Sequence, residues 1–441
     1  MGLRKQFRIG SPHDHIKESL DDTDGGEDGM FSEGSRMLMN IEKLESAYFM
    51  TRYGHKKQLE RQDNEQLLES STSTVITETN IVNDALMKGK CGEGRQSGWI
   101  EPFLEGLCKY VAFSKLEVRA ELHQGDLLNI TNLVCSLSFD RDGEFFAAAG
   151  VNKWIKVFEC NTVLEEDRDI HYPVVEISSR SKICCVRWNP YIKHQIASSN
   201  FEGVVQVWDV RRNEVLMEMM EHEKRVWSID ISTADPMMLA SGSDDGSIKL
   251  WSINQAPSIA TIKTKANICS VKFAPDSGRM IAFGSADHKI YYYDLRNSKF
   301  PLCTLIGHNK TVSYVEFLDS MNLVSSSTDN TLKLWDMSIS QSRVLNSPLL
   351  TFSGHLNMKN FVGLSISNGY IATGSETNEV FVYHKAFPMP ALSLKFDALD
   401  FHSGHNKDKT AQFVSSVCWR GQSSTLVAAN SSGNIKILEM V

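Results

Sequence analysis

The chain has 441 residues, a net charge of −8, and 41% hydrophobic against 23% charged residues, the balance of an ordinary folded chain with room for more than one unit. The acidic balance argues against direct nucleic-acid binding, which needs a basic footprint to displace counterions from phosphates. No apolar run approaches the about 18–20 residues that span a bilayer, and the segment MGLRKQFRIG has no apolar core, so it reads as no secretory signal.

Gly2 invites a myristoylation reading, but Gln6 stands where that signal carries Ser or Thr. Residues 1–34 and 70–98 are rich in Gly, Asp, Glu, Ser and Thr without periodicity, and are expected to be disordered. Between them, 35–69 reads as helical. Met37, Ile41, Leu44 and Tyr48 follow a 4-3-4 spacing that suggests a coiled-coil seam, but Thr51, His55 and Gln58 continue it with polar residues and Gly54 interrupts. A short coiled coil and a solvent-facing amphipathic helix both fit. A second helix is expected over about 99–113, packed against the side of the larger C-terminal region. The nine cysteines are an odd number without a Cys-x-x-Cys pair, which excludes a zinc RING or finger and makes free thiols the default.

From about residue 110 onward the chain repeats itself. Seven segments begin with apolar strands: VCSLSFD (134–140), ICCVRWN (183–189), VWSIDIS (226–232), ICSVKFA (268–274), VSYVEFL (312–318), FVGLSIS (361–367) and VSSVCWR (414–420). Each continues into a strand of small residues, an Asp/Asn/Gly turn and a third strand. Those third strands end at Phe158, Trp208, Trp251, Tyr293, Trp335, Tyr383 and Leu438, spaced 50, 43, 42, 42, 48 and 55 apart. A period of about 40–45 is that of a WD40 blade. Gly307-His308 and Gly354-His355 supply the Gly-His pairs, and Trp208-Asp209 and Trp335-Asp336 the Trp-Asp pairs. In the fifth repeat His308, Asp329 and Trp335 are placed for a buried network, since a buried carboxylate needs a donor. The expected architecture is all-β: a seven-bladed WD40 propeller over 110–441. A ring needs closure, and the alternating strand 116–122 can supply the fourth strand of the last blade.

No phosphate loop, His-Glu-x-x-His helix or nucleophile elbow is present in the sequence, so no enzyme class is indicated. Cys184 and Cys185 fall inside a strand, and His222, His308 and His355 fall at structural positions. Against that background a few residues break the repeat. The second residues of the blade-start strands are Cys135, Cys184, Trp227, Cys269, Ser313, Val362 and Ser415, and the indole is out of scale with the rest. Trp227 either plugs a wide channel or projects into its mouth as an anchor. Lys182, Arg225, Lys310 and Lys359 precede blade-start strands, with Lys265 nearby. They form either a solvated rim or a site for an anionic peptide.

Stretches such as FDRDGEFFAAAGV, EHEKRVWSIDIS, SGSDDGSIKLWSINQ and GSETNEVFVYHKAFPMP closely resemble the propeller of plant suppressor-of-phytochrome-A proteins, and less closely that of their partner, the RING-bearing constitutive photomorphogenic ubiquitin ligase. LESAYF (44–49) is similar to the family's coiled coil. The resemblance implies a nuclear, light-regulated ubiquitin ligase complex, whose propeller takes Val-Pro peptides preceded by acidic residues from transcription factors and photoreceptors. The matching groove would use Lys182, Phe201, Arg225, Trp227, His288, Lys310 and Phe361. Phe201 stands where the ligase has Tyr, and Met358 where it has Glu, so ligand preference is expected to differ. The resemblance also implies a W-D-x-R box for the damaged-DNA-binding adaptor of cullin-4 ligases. Trp208-Asp209-Val210-Arg211 fits it fully, and Tyr293-Asp294-Leu295-Arg296 fits with Tyr for Trp. The family's kinase-like domain finds no match here. A stand-alone scaffold, or a competitor of the same pathway that does not promote ubiquitination, is the alternative reading. No cofactor is expected.

Overall fold

Alternating Val, Ile and Ser residues make each blade-start segment a strand, and each is followed by a strand of small residues such as FFAAAG, QIASSN and MLASGS. Only small side chains fit there. A Cβ on Gly242 would lie 2.6 Å from Cγ2 of Ile268 in the next blade, and one on Gly284 would lie 2.7 Å from Cγ1 of Val312. The third strand of each blade then buries a large residue: Phe158, Trp208, Trp251, Tyr293, Trp335, Tyr383 or Leu438. Close packing of this kind fixes which strand may face which.

The computed structural model describes residues 41, 45, 48, 49, 100–123, 132–165, 171–338, 343–396 and 412–441. The stretches 1–34 and 70–98 lie outside the described residues. The strands form seven sheets, antiparallel but for one added strand in blade 4, the seven-bladed WD40 propeller expected from the repeats. Blades 1 to 6 begin with the strands Val134–Phe139, Ile183–Trp188, Val226–Ile231, Ile268–Ala274, Val312–Phe317 and Leu364–Ser367. Blade 7 combines Val414–Trp419, Thr425–Asn430 and Asn434–Met440 with the early strand Leu116–His123, paired from Leu116↔Met440 to His123↔Asn434. In blade 4 the short strand Val344–Leu345 adds in parallel to Cys303–Ile306.

Neighbouring blades are stitched along the channel. The backbone N–H groups of Val186, Val271 and Val315 donate to Ser136 Oγ, Ser228 Oγ and Ser270 Oγ of the preceding blade, each at 3.1 Å. The fifth residues of inner strands 2 to 5 are Arg187, Asp230, Lys272 and Glu316, alternating in sign. Lys272 Nζ lies 2.9 Å from Glu316 and 3.2 Å from Asp230, while Arg187 stands 3.8 Å from Asp230 and 3.7 Å from Glu316. Each charge is therefore matched across a blade boundary.

Among the described residues, two blades carry the full His–Asp–Ser–Trp network. In blade 5, His308 Nδ1 meets Asp329 at 3.0 Å and its Nε2 meets Ser325 Oγ at 2.7 Å, while Trp335 Nε1 donates to that hydroxyl. Blade 3 builds the same network from His222, Asp245, Ser241 and Trp251. The sequence hid it, because Glu221 replaces the usual Gly before His222.

The helix Ile100–Tyr110 packs Phe103, Leu107 and Tyr110 against blade 6 residues including Phe387. Of the helical expectation over 35–69, Ile41, Glu45, Tyr48 and Phe49 are described and helical. The Tyr48 ring meets Phe103 edge to face, centroids 6.0 Å apart.

Candidate functional site: an aromatic and cationic channel mouth

A single backbone rule builds the mouth. In six blades the first residue of the second turn donates its N–H to the carbonyl of the residue preceding the inner strand. The pairs are Val151 to Leu133, Phe201 to Lys182, Asp244 to Arg225, Ala286 to Asn267, Thr328 to Thr311 and Ser431 to Phe413, at 2.8–3.1 Å. These pairs form the rim. Just inside it, the register shifts at Cys135, Cys184, Trp227, Cys269, Ser313 and Ser415. A bulge of this kind re-aims the extra side chain, which is why Trp227 leaves the sheet and lines a cavity of about 320 Å³ with Phe201, Phe361 and Tyr314.

The geometry there is specific. The Arg225 guanidinium lies 4.4 Å from the Trp227 ring and 5.1 Å from Phe201, and Lys182 Nζ lies 5.9 Å from Phe201. Such cation–π placement holds a long side chain without consuming all its donors. Asp244 Oδ1 accepts from Trp227 Nε1 at 2.7 Å and from Asn267 at 2.9 Å, while its Oδ2 accepts from Arg225 Nε at 2.9 Å. Among the described residues Nε is the only guanidinium nitrogen of Arg225 that donates a hydrogen bond, which leaves both Nη groups for a ligand carboxylate.

Phe361 arrives by another route. Blade 6 departs from the rim rule. Glu376 Oε1 instead accepts the N–H groups of Met358, Lys359 and Asn360 at 3.1, 2.7 and 2.8 Å. The fold so pinned sets Phe361 against Trp227 (4.8 Å) and Tyr314 (5.9 Å). The floor is made of thiols, and burial pushes Cys135 and Cys269 up to about 12, so the floor stays neutral. Cys184 is pushed up as well, by burial first.

Lys182, Phe201, Arg225, Trp227 and Phe361 are thus brought together. His288 and Lys310 are exposed on the same end of the ring, and no hydrogen bond, ion pair or ring contact joins them to the cluster among the described residues. His288 nonetheless has φ 71° at a turn position occupied by Gly203, Gly246 and Gly433 in other blades, a conformation that costs a non-glycine residue energy. Lys359 lines the cavity. Lys265 and Met358 are exposed. Four further contributors, Asp244, Asn267, Tyr314 and Glu376, carried no signal in the sequence. The turn motif disguised the first, and only the fold reveals the others.

The W-D-x-R positions lie at the other end of the blades, because third strands finish beside the early residues of second strands, away from the rim turns: Gln195 pairs with Asp209, and Met280 with Asp294. Trp208 is buried, its Nε1 donating to Ser198 Oγ at 2.8 Å. Asp209 accepts from the backbone of Arg211 and Arg212. The two arginines differ. Arg296 folds back on Asp294, with Nη2 at 2.6 Å from Oδ2, and Tyr293 is buried behind it. Arg211 is exposed beside an apolar groove that includes Trp188, Val174 and Val210.

Residues 178–393 match the model described as Nucleolar protein 10-like, N-terminal domain, and residues 127–159 match WD domain, G-beta repeat. The chain is 62% identical over 453 residues to Protein SPA1-RELATED 4 of Arabidopsis thaliana, covering 100% of this chain and 57% of that protein. It is 48% identical to the E3 ubiquitin-protein ligase COP1 of Arabidopsis thaliana, over 78% of this chain and 50% of the relative. WD repeat-containing protein RUP1 of the same plant is 36% identical, with 70% of this chain and 80% of the relative matched. The chain spans about half the length of the SPA1-related and COP1 relatives it matches, 57%, 49% and 50% for three of them. On the repeats, the closed ring and these identities together, the chain belongs to the SPA1-related family of WD40 proteins.

Proposed function

We propose that this chain is a non-catalytic recognition and regulatory subunit of a COP1-type ubiquitin ligase complex in light signalling, acting in the nucleus. Its channel mouth takes short peptides with an acidic flank and a Val-Pro pair, of the kind carried by transcription factors and photoreceptors. The carrying observation is the stack of Phe201, Arg225 and Trp227, an apolar surface with a cation fixed inside it. The aromatic faces would hold Val and Pro, while the Nη groups of Arg225, with Lys182, Lys310 and Lys359 around them, would hold acidic residues. The stretch 35–69 would pair with the RING-bearing partner. The opposite end, through Arg211 above all, would meet the cullin-4 adaptor.

Calorimetric titration of the full chain with an acidic Val-Pro peptide tests the site. Trp227→Ala is expected to cost about 2 kcal/mol or more, roughly thirtyfold in affinity. Equal affinity of the two proteins would sink the reading. So would equal affinity of the wild-type chain for a peptide with Ala-Ala in place of Val-Pro.

A further inference from the structure

The rim is chemically lopsided. Its paired positions are cationic, aromatic or acidic in blades 2 and 3 (Lys182/Phe201 and Arg225/Asp244) and small or polar in blades 4 and 5 (Asn267/Ala286 and Thr311/Thr328). Across the closing seam they are mostly apolar: Phe413 with Ser431 in blade 7, whose hydroxyl already accepts the Phe413 N–H, then Leu133 with Val151 in blade 1. The side chains of Phe413, Leu133 and Val151 are half-buried and line the same cavity as Trp227 and Phe361, continuing it beyond the aromatic pair.

The polar groups on this side are already spent. Ser415 Oγ donates to Val134 O at 2.6 Å, and the Cys135 thiol, its pKa raised by burial, carries no charge at neutral pH. Among the described residues Lys359, on blade 6, is the one charged residue lining the cavity. Apolar surface left half-wet in a cavity, without a charge to serve, favours an uncharged aliphatic or aromatic occupant.

We infer that Leu133, Val151 and Phe413 form a second side-chain subsite, which takes an apolar residue of the same peptide whose Val-Pro pair rests on Trp227. The inference rests on the peptide-recognition reading and adds a specificity determinant to it. A ligand of this propeller then carries two apolar points separated along its chain, with its acidic residues on the blade 2 and 3 side. A second, unrelated peptide or a second copy of this chain does not fit as well, because the cavity is continuous with the anchor site.

The test uses the full chain and an acidic Val-Pro peptide flanked by alanines, against versions carrying one leucine at each flanking position in turn. At the matching position the wild-type protein should bind the leucine peptide about tenfold more tightly than the alanine parent. In Phe413→Asp and Val151→Asp, with unchanged melting temperatures as the folding control, that leucine-to-alanine ratio should collapse to near one. A ratio near one at every position in the wild-type protein overturns the subsite and leaves the anchor site standing. A ratio that survives in both variants places the contact elsewhere, and also overturns it. If the wild-type protein binds neither peptide, the recognition reading falls and takes the subsite with it.

Discussion

Asp244 and Asp245 are adjacent and do unrelated work. Asp245 serves the fold, holding His222 at 2.7 Å, while Asp244 turns outward to orient Trp227 and Arg225. Asp244→Ala is expected to weaken Val-Pro peptide binding by about 1–2 kcal/mol, because hydrogen bonds to a charged partner are lost. The loss should appear as faster dissociation in stopped-flow measurements, since removing a negative charge from the mouth speeds the arrival of an acidic peptide. An unchanged off-rate would deny Asp244 its positioning role. Trp227 and the rim cations were legible in the sequence because they break a sevenfold repeat. Asp244 was not, since an aspartate in Ser-Asp-Asp-Gly reads as a turn residue. Similarly, the arginines of the two W-D-x-R boxes look equivalent in sequence, yet the Arg296 guanidinium is tied to Asp294, and among the described residues the Arg211 guanidinium has no such tie. Arg211→Ala is therefore expected to reduce adaptor capture in a pull-down far more than Arg296→Ala.

The helix Ile100–Tyr110 shows how an element is set by one small residue. Its presence and its packing on the ring were readable, and the expected bounds of 99–113 lie close to those observed. The depth of its seat was not readable. A Cβ on Gly106 would come 2.7 Å from Cβ of Ala386, so the glycine lets the helix rest directly on blade 6. Gly106→Val is expected to destabilise the chain by about 1–3 kcal/mol through overpacking, measured by urea denaturation. A neutral or stabilising result would mean that the helix is free to lift. The parallel strand Val344–Leu345 was also invisible in the sequence, because two residues carry no period and their pairing depends on where blade 4 lies.

For the whole ring, acid is the informative stress. Burial pushes the imidazoles of His355 and His384 down to about 4 from their ordinary 6.5. Between those values the unfolded chain binds protons that the folded chain refuses. Stability is therefore full above pH 6.5 and falls as pH is lowered towards 4, by at most about 1.4 kcal/mol per unit for each histidine. Urea midpoints measured from pH 7 to 5 should decline, and His355→Gln with His384→Gln should flatten the decline. The ring's closure is the other point of global weakness. Leu122 is 2% exposed in the core under blade 7, and Leu122→Ala is expected to cost about 2–5 kcal/mol as read by chemical denaturation. Seven blades were legible because their spacing is regular, and closure came from the need to leave no edge unpaired. The pairing of Leu116 with Met440 also has a meaning in time. The first strand of the ring leaves the ribosome long before its partner exists. At about 5–20 residues per second it must wait on the order of tens of seconds with its edge uncovered. The nascent chain is thus an unclosed arc for most of its synthesis, and this interval is when a chaperone has most to protect.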